Sequence, residues 1–408
     1  MAKKLGMAAL LLAAAALGSG ESRPRELCGE VPAISRELAA ITGLGWKRPV
    51  PCDFITKDQV NEFLKKRVKE VATPQEIRAE ELTLKKFGLA PQDFDLASST
   101  IDLLTEQAAA FYDYNKKRLF ITESTASETE QPVLAHELAH ALADQNFNLA
   151  KYIRQGRKND DGSTARLAVM EGQATWLMSE YLARRGGQTL RGNPGMAAMM
   201  AGLGDSGGGQ FPVFDNAPLY LRRTLIFPYT KGLVFQDKVL EHDGSRAFGE
   251  VFEKPPISTQ QILHPEAYFA GLKPSAPAVP EANLGSGYKP LVGGTLGELE
   301  HAILIEQYTD KERAREIAPH WSGCTFELRE NRKAGRVVLL YAVKWDDEAS
   351  ARQYFAAYKE ILGKKWKALS VETETDEKIA GTGDDGRFEL KRDGSLVTSV
   401  EGMDPGVH

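Results

Sequence analysis

One run constrains this chain more than any other: Val133-Leu134-Ala135-His136-Glu137-Leu138-Ala139-His140-Ala141-Leu142. Apart from His136, Glu137 and His140 it is wholly apolar, so it predicts a helix buried on every side. Residues four apart share a helix face. His136 and His140 therefore point the same way, one turn apart. Two imidazoles and a carboxylate are costly to bury unless something pairs with them. A metal ion is such a partner: the two histidines would grip it, and Glu137 would stand beside it where a general base is needed. The competing reading is a core helix with two satisfied histidines. The chain has only seven histidines in 408 residues, so this spacing seldom arises by chance.

A catalytic zinc takes three protein ligands and leaves one position open. The best third ligand is Glu171, a carboxylate within the apolar stretch Val169-Met170-Glu171-Gly172-Gln173-Ala174 of the next long helical segment. Gly172 beside it allows close approach of the two helices. Glu180 is the weaker rival, further along and on the opposite face. Asp144, four residues past His140, is placed to accept a ring N–H from a ligand histidine. The alternative for Asp144 is a polar contact with Gln145 at the helix end. The metal expected is Zn2+, although the same ligands accept other divalent ions.

Length allows two domains and a sizeable core. The net charge of −5 is mild and no basic stripe is interleaved with aromatics, which argues against nucleic acid as a partner. Lys3 and Lys4 precede an apolar run over 7–17 and then Gly18-Ser19-Gly20, the layout of a secretory signal peptide over residues 1–20. The run is short for a membrane span, so secretion or periplasmic location is expected, with an uncleaved N-terminal anchor as the alternative. No stable membrane span is expected once the signal is removed. In an oxidising compartment Cys28 and Cys52 pair, and Cys324 is left as a buried thiol.

Coarse patterning places helices over 57–71, 73–87 (stopped by Gly88), 99–109, 128–147, 164–185 and 230–242. Two β-prone runs flanking an Asn/Lys turn read as a hairpin over 110–122. Residues 186–218 are Gly-rich with a small Met/Ala patch over 196–200, and read as a mobile loop with a short helix bordering the cleft or as a surface insertion. The stretch 271–294 is rich in Pro, Gly, Ala and Ser and reads as a linker. The fold class expected is α+β: a mostly helical domain with a small sheet over 21–270, then a small α+β domain over 295–408. His301 and His320 in the latter read as structural.

His136-Glu137-x-x-His140 followed by Glu171 on the next helix resembles the gluzincin branch of zinc metallopeptidases. That resemblance implies a zincin-like catalytic unit. Phe227-Pro228-Tyr229-Thr230-Lys231-Gly232 looks like the Pro-Tyr-x-Lys-Gly motif of aminopeptidase N-type enzymes, which implies that Tyr229 stabilises an oxyanion; a core aromatic is the alternative. The hairpin resembles the zincin edge strand, implying substrate binding by strand addition. The chain also resembles a loose set of secreted, poorly characterised bacterial metallopeptidases. The shared stretches are His136 to Gln145 (HELxHALxDQ), Gly88-Leu89-Ala90-Pro91, Ser258 to Glu266 and, more loosely, Trp321-Ser322-Gly323. Two departures matter. The gap from His140 to Glu171 is longer than in the aminopeptidases, and no Gly-x-Met-Glu-Asn stretch is present to capture a substrate amino terminus. Endopeptidase action on a peptide or protein is therefore expected. His264, in Leu263-His264-Pro265-Glu266, is the rival to Tyr229 as oxyanion helper, and a structural turn is its plain alternative.

Three functions compete on the sequence: a secreted zinc peptidase, a catalytically silent zincin-fold envelope protein, and a zinc amidase acting on cell-wall material. An intact Glu137 argues against the second, since a binding module has little need of a general base.

Overall fold

The computed structural model describes residues 13–14, 24–123, 130–157, 159–193, 195–204 and 211–404. The expected signal segment lies outside them except for the backbone of Ala13 and Ala14. The first residues expected in the motif helix and the centre of the Gly-rich stretch also lie outside. The fold is α+β: a helical N-terminal part with a four-stranded sheet, and a C-terminal part built on a seven-stranded antiparallel sheet.

Local sequence sets the N-terminal helices. Thr56 and Thr73 each open a capping box, with Gln59 and Glu76 reaching back to the cap N–H, and start the helices Lys57–Val71 and Pro74–Phe87. Gly88 ends the second with φ +78°, a conformation that suits glycine. Its carbonyl accepts from the Gln307 side chain and the Tyr308 hydroxyl of the C-terminal part. A Cβ at Gly88 would clash with that hydroxyl. The stretch that begins at Gly88 is thus a joint between the two halves.

The small sheet consists of β1 (Ala13–Ala14), β2 (Cys52–Ile55), β3 (Ala108–Asp113) and β4 (Arg118–Thr122), in the order β1-β3-β4-β2. β3 and β4 form the expected hairpin. Asp113 accepts from the Asn115 and Lys116 N–H groups, and Lys117 takes φ 57° in the turn. The backbone of β1 runs antiparallel along the outer edge of β3, with Ala13 opposite Ala110 and Ala14 opposite Ala108. A Cys28–Cys52 disulfide ties the helix Pro24–Thr42 to β2.

Three helices form the centre: the motif helix Glu130–Phe147, the helix Asp160–Arg185 that carries Glu171, and the helix Leu219–Asp243 that carries Tyr229. Residues 133–145 are all buried, as the apolar run requires. The Glu171 helix starts four residues before the expected 164, because Asn159 caps it by accepting from the Gly162 N–H. The Tyr229 helix starts well before the expected 230. Pro228 lies inside it and breaks only one backbone bond, while packing on both sides holds the helix together. The Gly-rich stretch contains two helices, Met196–Gly204 and Pro212–Asn216.

Gly172 does permit a close helix contact, with a different partner from the expected motif helix. A Cβ built on Gly172 would lie 2.6 Å from the Gly232 Cα and closer still to its carbonyl group. The helix drawn close is therefore the Tyr229 helix.

The C-terminal sheet comprises β5 (Lys289–Gly294), β6 (Trp321–Asn331), β7 (Arg336–Trp345), β8 (Ser370–Glu374), β9 (Lys378–Gly383), β10 (Gly386–Asp393) and β11 (Leu396–Met403). Its order is β5-β6-β7-β11-β10-β9-β8. The expected linker over 271–294 therefore ends in a strand. Pro290 is tolerated there because β5 is an edge strand with a register shift between Pro290 and Val292. The helix Glu348–Lys365 packs on the sheet. His301 is buried and structural, with its Nδ1 at the Gly297 carbonyl and its Nε2 2.7 Å from the Tyr341 hydroxyl. Phe87 joins the halves edge-on to Phe326 and Tyr341. Cys324 is a buried free thiol, and burial pushes its pKa up.

Candidate metal centre

Helical spacing does bring the two motif histidines together. Their Nε2 atoms are 3.1 Å apart. The Oε2 atom of Glu171 lies 3.1 Å from the His136 Nε2 and 3.3 Å from the His140 Nε2. All three side chains are buried. Burial pulls the His136 and His140 pKa values down, that of His140 to about 3, so both rings are neutral with lone pairs available. Burial pushes the Glu171 carboxyl up, against the opposing pull of His136 and Tyr229. Its other oxygen, Oε1, is buried without a hydrogen-bond partner. Two neutral imidazole nitrogens and the Glu171 Oε2 converge within 3.3 Å, are poorly satisfied by each other, and would be satisfied by a cation.

His136, Glu137 and His140 form a buried group that could hold a metal ion, with one ligand atom from each within 4.8 Å of the others. Two carboxylates therefore flank the histidines. Glu171 is the better ligand, because its Oε2 sits at ligand-to-ligand distance from both rings. Glu137 has one oxygen committed elsewhere, accepting from the Tyr112 backbone N–H of β3 at 2.7 Å.

Tyr229 joins the centre. Its ring stacks on His136 with centroids 5.9 Å apart. Burial first, then the charges of Glu171 and Glu137, drive its pKa far up, so the hydroxyl keeps its proton and remains a donor. The Gly172–Gly232 contact explains the placement, since Gly172 follows Glu171 directly and Gly232 lies three residues after Tyr229.

His264 does not join. It lines a separate cavity with Thr230 and Lys231, where its Nε2 is 2.9 Å from Glu298 Oε1 and its Nδ1 is 3.7 Å from Glu266. The helix Leu219–Asp243 directs Tyr229 to the metal centre and these neighbours to the cavity. The short helices around His264 pack against the C-terminal part. Glu180 is likewise accounted for: it accepts from Arg184, the Thr189 hydroxyl and the Leu190 N–H, and so anchors the chain after its own helix.

Asp144 contacts neither histidine. It accepts from the Tyr112 hydroxyl at 2.9 Å, from the Lys117 ammonium and from the Leu149 N–H. Two turns apart on the motif helix, Glu137 and Asp144 hold the N–H and the hydroxyl of the same Tyr112. Asp144 thus acts on the strand that positions Glu137. Nor does it meet Gln145, whose amide accepts from the Lys47 and Arg48 N–H groups and donates to the Arg48 carbonyl. Sequence reasoning missed Tyr112 and Lys117 as members of the site. The signal lay in the hairpin, whose Asn115-Lys116-Lys117 turn places a lysine next to a buried acid.

Residues 289–407, from the first residue of β5 onward, match a family described as Domain of unknown function (DUF8575). No curated protein and no solved structure matches the chain. Among the described residues no helix is long and apolar enough to cross a membrane.

Proposed function

We propose that this protein is a secreted zinc-dependent peptidase of the gluzincin type, acting as an endopeptidase. One observation carries the reading: the triangle formed by His136 Nε2, His140 Nε2 and Glu171 Oε2, with sides of 3.1, 3.1 and 3.3 Å. Ligands about 2.0–2.1 Å from a tetrahedral zinc lie about 3.3 Å from one another. Bound there, zinc would supply Lewis acidity towards a substrate carbonyl and towards water.

The remaining chemistry belongs to the chain. Glu137, fixed by the Tyr112 N–H, is placed to take a proton from water and hand it to the leaving amine. The protonated Tyr229 hydroxyl is placed to donate to the developing oxyanion. The outer edge of β3, beside Glu137, is the surface on which an extended peptide would add. That Ala13–Ala14 backbone lies along this edge supports the idea that it admits another strand. The Cys28–Cys52 bridge suits an oxidising compartment.

The test is elemental analysis of protein purified without chelator, paired with hydrolysis of an unfolded protein substrate. The expected results are about one zinc per chain, its loss in Glu171→Ala, and a Glu137→Gln variant that keeps metal and fold but loses turnover. Peptidase activity retained by Glu137→Gln would overturn the mechanism. Absence of metal after incubation with zinc would overturn the class.

A further inference from the structure

A second cavity lies between the Tyr229 helix and the C-terminal part, with a volume of about 330 Å³. Four cations line it, Arg223, Lys231, Lys311 and Arg315, and Arg223 is paired with Glu306, which leaves Lys231, Lys311 and Arg315. None of these three forms an ion pair among the described residues, and of the two acids in the lining, Glu306 is held by Arg223. Ile226, Phe227 and Leu299 give the cavity an apolar wall. Glu298 also lines it, and is 3 % exposed. Its Oε1 is bound to His264, while its Oε2 is buried with no hydrogen-bond partner.

An orphaned buried acceptor is unfavourable unless a donor reaches it. Three unneutralised cations around the same space favour an anion. A simple anion leaves the Glu298 oxygen unsatisfied and would face its charge. A simple cation faces three like charges. One kind of small molecule satisfies both ends and the apolar wall: an N–H donor and a carboxylate carried on a hydrocarbon body.

We propose that this cavity binds an amino-acid zwitterion with an apolar side chain, its ammonium on Glu298 and its carboxylate between Lys231, Lys311 and Arg315. The site is separate from the metal centre, and the proposal does not depend on the peptidase reading.

The test is calorimetric titration of the full chain with leucine, N-acetyl-leucine and leucinamide. Leucine keeps both charges, N-acetyl-leucine lacks the ammonium and leucinamide lacks the carboxylate. Leucine is expected to bind, with each blocked analogue at least about tenfold weaker, the loss of one charge-assisted hydrogen bond. Lys311→Ala/Arg315→Ala, both exposed and far from any core role, is expected to weaken leucine by a similar factor. Glu298→Gln should weaken leucine and narrow the gap to N-acetyl-leucine, and if that variant misfolds the double variant still decides. Equal binding of N-acetyl-leucine would show a plain anion site and overturn the proposal. Leucine binding that survives the double variant would place the ligand elsewhere, and absence of binding at millimolar leucine would overturn it outright.

Discussion

Glycine to alanine in a helix normally stabilises, by about 1 kcal/mol. At Gly172 the structure predicts the opposite sign. The added Cβ would sit 2.6 Å from the Gly232 Cα, where ordinary contact begins near 3.4 Å, and nearer still to the Gly232 carbonyl. The obstacle is main chain, so no rotamer change relieves it, and the two helices must part by about 1 Å. Overpacking of this kind costs about 3 kcal/mol, which leaves a net loss of about 2 kcal/mol after the propensity gain. The same displacement carries Glu171 away from His136 and His140, and a shift of about 1 Å at a reacting centre costs about 100-fold in rate. Gly29→Ala is the control: that glycine is also helical and nothing lies within 4 Å of its built Cβ. Chemical denaturation and metal content, measured on both variants, give the comparison. Gly29→Ala should gain stability and keep metal, and Gly172→Ala should lose both. A Gly172→Ala protein as stable and as metal-loaded as Gly29→Ala would refute the claim that this helix contact sets the ligand geometry.

Asp144→Ala should cost about 2–4 kcal/mol in denaturant midpoint analysis, because it strands the Tyr112 hydroxyl, the Lys117 ammonium and the Leu149 N–H, yet leave metal content intact; metal loss in the folded fraction would restore a histidine-bonding role. The His264–Glu298 pair should favour the folded state more at low pH. Its partner Glu298 raises the His264 pKa and burial raises that of Glu298, so both hold protons more tightly when folded, and stability falls as pH rises through these raised values. A melting-temperature difference between wild type and His264→Gln that grows from pH 5.5 to pH 8 would contradict this. Phe87→Ala should lower stability by about 3–5 kcal/mol and weaken the coupling of the two halves, seen as separation of a single unfolding transition into two. An unchanged single transition would show that the halves are joined elsewhere.

The buried cluster of His136, His140 and Glu171 was legible because it depends on helical periodicity and on one rule of burial. His136 and His140 lie one turn apart, and Glu171 is an acid that an apolar helix has no other reason to bury. The hairpin followed from alternation and turn chemistry, and the Cys28–Cys52 pair from the oxidising compartment that the N-terminal pattern implies. What failed was partner choice over long separations. Asp144 has the spacing of a histidine partner, but a tyrosine and a lysine from the hairpin reach it first. Gly172 signals close packing without saying which helix arrives. His264 stood as a rival to Tyr229 because nothing local reveals that the short helix before it faces the other half of the molecule. Pro228 and the Pro/Gly-rich stretch before Thr295 misled for the opposite reason: local breaker signals were overridden by packing and by the tolerance of an edge strand.

The disulfide has a consequence for how the chain acquires its covalent form. Three cysteines admit three single bridges, one of them native. Cys28 and Cys52 are 24 residues apart, whereas either pairing with Cys324 must close a loop of roughly 270 residues or more. In the unfolded chain that difference favours the native loop by about 2 kcal/mol, or about 40-fold. Formation of the C-terminal sheet then removes Cys324 from contest, since its thiol is buried and held protonated. Loop statistics in the unfolded chain and the burial of Cys324 in the folded one therefore favour the same bridge.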